Sequence, residues 1–372
     1  MASTRPELML NEEQICNACE TVIKESENID WKKREKELIK IFDNLKKNKN
    51  SDWDCIIPCS GGKDSTYQAF KVKEYGLNPL IVVATTCDLT PLGEYNINNL
   101  KNNFDVIEIT PNKNTRRKLN KTCLETVGDI SWPEHVAIFT QPINVAIKYD
   151  IKLLIYGENP QFQYGGPSRN NSHLMNRAWV EEFGGFLGLR VSDLINHYNF
   201  TKEELIPYIY PDEKLIKKKN ITKIFLGYFL QWNNESNYLF AKDKGFKEYE
   251  KPIEGGAVNY EKLDNHQHGI HDYFKFLKYG FSRATDQVAW KLRHKKISIE
   301  EGKKIIFAND GNYPHYYLGK KLENILSDIE MTVEQFDKIA DRFTNKKLFE
   351  LDNSGALKRN NNKKLYLKDY GF

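Results

Sequence analysis

Several things are scarce in this sequence, and each scarcity excludes a class. The 372 residues contain no run of about 18 apolar positions, so no membrane-spanning helix is expected. The opening residues, Met1-Ala2-Ser3-Thr4-Arg5-Pro6, hold no apolar stretch of the kind that marks a secretory leader. Cysteine is sparse: Cys16, Cys19, Cys55, Cys59, Cys87 and Cys123 lack the spacing of a disulfide framework, and a reducing cytoplasm is the expected setting. Neither charge dominates, with 55 Lys and Arg against 51 Asp and Glu, a net charge of +4. Nucleotide phosphates would satisfy that balance as well as RNA would. Nor does a long basic stripe with interleaved aromatics occur before residue 340, so nucleic acid is not the expected partner. No internal repeat is present.

What is present is an alternation of short apolar runs with helical periodicity. A charged amphipathic helix is expected over 31–49, with Leu38, Ile39, Ile41, Phe42 and Leu45 on one side. Strands follow at Cys55–Pro58, Pro79–Ala84, Phe104–Ile109 and Lys152–Tyr156. Helices are expected after the first strand up to Gly76, over 94–102, and near 113–127 and 134–149. This order predicts an α/β fold with a doubly wound parallel sheet, which places ligands at the carboxyl ends of its strands. Ser60–Ser65, Thr85–Glu94 and Gly157–Gly166 lie at those ends and should converge on one crevice. Beyond about residue 170 the alternation fades. Residues 170–270 read as irregular, and helices return from 271, with capping-type starts at Ser298-Ile299-Glu300-Glu301 and Thr332-Val333-Glu334-Gln335. Three regions are expected: an N-terminal segment over 1–50, a nucleotide-binding core over 51–170, and a substrate-binding, helical C-terminal part over 171–372.

The chemistry concentrates in Ser60-Gly61-Gly62-Lys63-Asp64-Ser65, between a strand and a helix. A glycine pair there lets backbone N–H groups crowd around phosphate oxygens, and the helix dipole favours the negative charge. Lys63 adds a cation, Asp64 a carboxylate suited to Mg²⁺, and Ser60 and Ser65 add hydroxyls. The spacing is not that of a Walker A loop. It resembles the signature of the PP-loop ATP pyrophosphatases (the adenine nucleotide alpha hydrolase-like fold), which implies cleavage of ATP between the α and β phosphates and transfer of AMP to a carbonyl-type oxygen.

Further stretches narrow the resemblance. They include Arg5-Pro6, Cys16-Asn17-Ala18-Cys19, Gly93-Glu94-Tyr95-Asn96-Ile97, Gly128-Asp129, Glu134-His135, Gly157-Glu158-Asn159-Pro160-Gln161, Tyr164-Gly165-Gly166 and Lys278-Tyr279-Gly280-Phe281-Ser282-Arg283-Ala284-Thr285-Asp286. Together, over roughly residues 5–310, they resemble the N-acetyl sugar amidotransferase family. That family includes the amidotransferases of pseudaminic and legionaminic acid and of lipopolysaccharide O-antigen biosynthesis. The resemblance implies an AMP-forming enzyme that converts an acetamido group to acetamidino, using ATP, Mg²⁺ and ammonia from a separate glutaminase subunit. No stretch of this chain looks like a glutaminase.

On that reading Lys63, Asp64 and Arg283 carry catalysis, with Arg283 weighed against a plain ion pair to Asp286. Ser60, Gly61, Gly62, Lys63, Asp64, Ser65, Thr85, Gly157 and Glu158 would hold the nucleotide. Glu94, Asn96, His135, Asn159, Gln161 and Tyr164 would touch the sugar. His266, His268 and His271 read as a surface turn before a helix, with a metal site or substrate-binding turn as the alternatives. Trp132, Trp179 and Trp232 are stacking candidates that also suit a core. In one respect the chain departs from the family pattern, which has a second Cys-x-x-Cys pair upstream of the Arg-Pro. Cys16 and Cys19 alone supply two of the four ligands of a structural zinc. Cys55, Cys59 or nearby histidines would have to complete it, and two free thiols is the alternative. The rival functions are a PP-loop tRNA-modifying enzyme and a non-catalytic nucleotide-binding subunit.

Overall fold

A computed structural model describes residues 2–47, 51–157 and 172–368. Its centre is a five-stranded parallel sheet in the order β3-β2-β1-β4-β5. The strands are β1 (Cys55–Cys59), β2 (Pro79–Ala84), β3 (Val106–Ile109), β4 (Leu153–Tyr156) and β5 (Thr222–Phe225). Chain order reverses direction between β1 and β4, the position at which such sheets open a crevice.

The three central strands β2, β1 and β4 are apolar along almost their whole length because both faces are covered. Ile57, Ile81, Val83, Ile155 and Ile224 turn to one side. There they meet Leu38 and Phe42 of α1 (Trp31–Lys47), Val72 of α2 (Lys63–Glu74) and Leu100 of α3 (Pro91–Lys101). Ile56, Leu80, Val82, Leu154 and Phe225 turn to the other side, against Ile143 and Ala146 of α5 (Trp132–Tyr149). All these side chains are within a few percent of full burial, the Val, Leu, Ile and Phe among them each contributing about 1.5–3 kcal/mol relative to exposure. Between β3 and α5 lies α4 (Lys113–Val127).

Residues 172–368 differ from the expectation in two ways. β5 lies at residues 222–225 and extends the sheet past position 170, the expected end of the core. The sequence shows little sign of this strand, because Thr-Lys-Ile-Phe is short and has no clear period. The second difference is a separate core. α7 (His268–Tyr279) and α10 (Val333–Phe343) pack Phe274, Phe276 and Phe336 with Phe349 from the chain beyond α10 and with Leu124 and Ile130 from the α4–α5 corner. The short helix α6 (Asn234–Asp243) packs on α2, and α8 (Arg283–Arg293) packs on α9 (Ile299–Asn309). Ser298 and Thr332 form the expected capping boxes at the starts of α9 and α10. Among the described residues no helix is long and apolar enough to cross a membrane.

Candidate active site

The loop Ser60–Ser65 leaves β1 at its carboxyl end and passes straight into α2. Gly61 sits at φ +82°, a left-handed conformation that side chains disfavour, and a Cβ there would stand 2.8 Å from Cγ1 of Ile97. The turn is tied to the strand through sulfur: the Gly61 N–H donates to Cys59 Sγ (3.1 Å), and that thiol donates to Ser65 Oγ (3.0 Å). Ser65 and Thr66 both donate to the Gly62 carbonyl at 3.0 Å. The first N–H groups of α2 have no partner within their own helix by geometry. They therefore face the mouth of the crevice with the positive end of the helix dipole.

A cavity of about 380 Å³ opens above this loop. Ser60 to Ser65 all line it, as do Thr86, Gly93, Asn96, His135, Gly157 and Arg283, so residues of all three expected loops and of the C-terminal helix α8 converge there. Lys63 is 3 % exposed and lies 2.6 Å from Asp64 Oδ2. Several buried polar atoms around the cavity have no hydrogen-bond partner among the described residues: Asp64 Oδ1, Gln68 Oε1, Ser131 Oγ, His135 Nδ1 and His268 Nδ1. Orphaned buried groups are costly, and a cluster of them around one cavity offers hydrogen-bond partners to a polar ligand.

The opposite wall comes from residues 260–283. Gly93 makes this possible, since a Cβ there would come within 2.6 Å of the Asp264 Cα. The segment docks edge-on: the Thr90 N–H donates to the Asp264 carbonyl (3.1 Å) and the His266 N–H to that of Asp88 (3.0 Å). His268 Nε2 pairs with Asp264 Oδ1 at 3.1 Å. Arg283 forks onto Asp272 at 3.0 and 3.2 Å. Burial opposes charge on both members of that pair. Each nevertheless offsets the cost for the other, so the Asp272 carboxyl stays well below its usual range and the Arg283 guanidinium well above. Burial pushes the ammonium of Lys262 below its ordinary value.

Other expected site residues are placed differently. Arg283 pairs with Asp272 rather than Asp286, which is held by Arg5 (2.6 Å) and Lys275. Thr85 does not line the cavity, and its neighbours Ala84 and Thr86 do. Its hydroxyl accepts from Thr110, its N–H donates to Ile109 and its carbonyl accepts from Arg116. Glu94 is exposed on α3 outside the cavity. Asn96 is buried with both ends of its amide on the backbone of Lys247, at 2.9 and 2.8 Å, so it clamps two segments together. Glu158, Asn159, Gln161 and Tyr164 lie outside the described residues.

The histidine run is not a surface turn. His266 and His268 are buried at the start of α7, and His271 Nδ1 lies 2.7 Å from Asp129 Oδ1. Trp132 is core, donating to the Phe186 carbonyl, whereas Trp179 lines the cavity. Trp232 packs edge-on against Tyr67. Cys16 and Cys19 have their sulfurs 3.4 Å apart, and among the described residues no third ligand group joins them. Cys55 and Cys59 cannot complete a zinc site with them, because both are buried in β1.

Sequence reasoning missed Glu134, Asp264 and Asp272 as site residues. Glu134 sits at the cavity wall with its carboxylate paired to the buried Arg116 (3.0 Å). An acidic residue beside a histidine at a helix start was the available signal.

Fold and site together define a parallel α/β protein with a glycine loop at a sheet crevice and a charged wall from its C-terminal part. Residues 236–364, which supply that wall, match the family model described as the C-terminal domain of the WbpG-like LPS biosynthesis proteins. No curated protein matches the chain. Among solved structures it is similar to NMN synthetase from Francisella tularensis, at 11 % identity over 75 % of this chain and 92 % of that one, TM-score 0.37. It is also similar to a predicted subunit of tRNA methyltransferase from Methanocaldococcus jannaschii, at 16 % identity over 50 % of this chain and 75 % of that one, TM-score 0.29.

Proposed function

We propose that the protein is an ATP-dependent, AMP-forming amidotransferase of the cytoplasm. It would convert an N-acetyl group on a bacterial surface sugar or nucleotide sugar to an acetamidino group, with ammonia from a separate glutaminase subunit. The observation that carries this reading is the Ser60–Ser65 loop, with buried Lys63 and half-satisfied Asp64, opening on a cavity rimmed by partnerless polar atoms. The C-terminal match to LPS biosynthesis proteins supports the sugar half.

The reaction has two steps. The amide oxygen attacks the α-phosphorus of ATP, the bond to the β-phosphate oxygen breaks, and pyrophosphate leaves from an O-adenylyl imidate. Ammonia then adds to the imidate carbon, a proton is lost, and AMP departs with the former amide oxygen. Water in place of ammonia would only regenerate the amide, so the wall of residues 260–283 has to exclude solvent. Lys63 and the first N–H groups of α2 would hold the β and γ phosphates as charge builds on them. Arg283, fixed by Asp272, would orient a phosphate or sugar carboxylate.

The donor set also fits Mg²⁺. Asp64 presents a buried carboxylate oxygen with no partner among the described residues, and Glu261 and Asp264 add negative charge to the cavity. A bound Mg²⁺ would neutralise polyphosphate charge beside Asp64. The test is incubation with ATP, Mg²⁺, ammonium and a panel of acetamido nucleotide sugars. Mass spectrometry should find a product lighter by the difference between O and NH, with AMP and pyrophosphate in equal amounts. Formation of that product by both Lys63→Ala and Asp64→Ala at the unaltered rate would sink the assignment.

A further inference from the structure

At the edge of the cavity three groups converge to which the steps of the proposed ATP reaction assign no role, although His135 was expected to touch the sugar. Asp129 stands in the link between α4 and α5, His135 in the first turns of α5, and His271 in the first turn of α7. Their ligand atoms all lie within 4.8 Å of one another, and no other such cluster of His, Cys, Asp or Glu occurs among the described residues. His271 Nδ1 is 2.7 Å from one carboxylate oxygen of Asp129, and His135 Nδ1 is 3.6 Å from the other. The two imidazole rings meet at 77° with centroids 5.3 Å apart.

We propose that Asp129, His135 and His271 form a binding site for a divalent transition ion, with Zn²⁺ the best match to two imidazoles and one carboxylate. Tetrahedral Zn²⁺ with bonds of about 2.0–2.1 Å sets its ligand atoms roughly 3.3 Å apart. The two separations from Asp129, 2.7 and 3.6 Å, straddle that value, and the third lies within 4.8 Å. His135 Nδ1 is buried and makes no hydrogen bond among the described residues, so this ring nitrogen is available to a ligand beside the carboxylate. Asp129 is already oriented by the Ser131 N–H, which donates to Oδ1 at 2.9 Å, the kind of support that ligating carboxylates receive. Three protein ligands leave a fourth position, as in zinc sites that bind a substrate atom. His135 and Ser131 both line the cavity, so that position adjoins it and would take an oxygen or nitrogen from a small ligand. The site goes beyond the ATP reading and does not depend on it.

Titration of the metal-stripped full-length protein with Zn²⁺ and with Co²⁺ tests this. The expected result is one equivalent bound, retained in the Cys16→Ser/Cys19→Ser double variant and weakened roughly tenfold or more in His135→Ala and in His271→Ala. The Co²⁺ absorption spectrum of the unaltered protein gives a check that needs no histidine variant. Nitrogen and oxygen ligation gives d–d bands without the intense thiolate charge-transfer band. Absence of binding, a thiolate band, or affinity that survives both histidine substitutions would overturn the proposal and leave a hydrogen-bonded His271–Asp129 pair.

Discussion

On one side of the cavity, the Ser60–Ser65 loop is shaped by its own backbone: a glycine at positive φ, a thiol bridging the turn, and hydroxyls folded onto the Gly62 carbonyl. On the other side, Asp264 is hydrogen-bonded to His268, and Arg283 is held by a buried ion pair with Asp272. Asp264, His268 and Arg283 line the cavity only because a distant segment docks on the loop between β2 and α3. Local geometry is inexpensive to maintain and tolerates little change in residue type. Buried charge costs desolvation at every position and depends on each partner being present. The two walls should therefore fail differently.

The largest separation is expected from Arg283→Met. It strands the Asp272 carboxylate, 7 % exposed, without its counter-charge and should cost about 3–5 kcal/mol in urea unfolding. A loss below about 1 kcal/mol would mean that the pair does not hold this wall. Lys63→Ala should do the reverse. Pyrophosphate release falls about 10²–10³-fold, as when one charge-stabilising donor is removed, while the melting temperature moves far less than in Arg283→Met. Equal loss of stability in both variants would erase the distinction between the walls.

Asn96→Ala attacks the joint between the two sides. Losing both bonds to the Lys247 backbone should cost about 1–3 kcal/mol by chemical unfolding. The smallest effect concerns acid. Burial disfavours the charged form of Asp286, yet Lys275 and Arg5 more than offset it and hold the carboxyl below its unfolded value. That contribution is fully present above the unfolded carboxyl's pKa, about 3.9, and is lost as pH falls through the lower folded value. Melting temperature against pH should consequently fall less steeply below about pH 4 in Asp286→Asn than in the unaltered protein. Parallel curves would remove Asp286 from the acid-sensitive set.

Arg5 and Asp286 show how far a linear reading could go. Both stand in stretches that carried the family resemblance, yet nothing along the chain joins positions 281 residues apart. The same holds for Asp129, His135 and His271. Two of the three lie in the Gly128-Asp129 and Glu134-His135 stretches, and the third sat in a histidine run that reads locally as a turn. For Arg283 the nearby Asp286 was the natural partner at helical spacing, but the fork closes on Asp272 of the preceding helix.

The sequence by itself determined the strand–glycine loop–helix unit, four of the five sheet strands and the capped starts of α9 and α10. Each rests on interactions within a few residues, where periodicity, glycine and side-chain caps act directly. Only the tertiary structure decided the fifth strand, the clamp of Asn96, the Asp272 partner of Arg283 and the gathering of Asp129 with two histidines. Those depend on which distant surfaces bury one another. A buried charge or imidazole finds its partner through packing, and packing leaves no periodic trace in the chain.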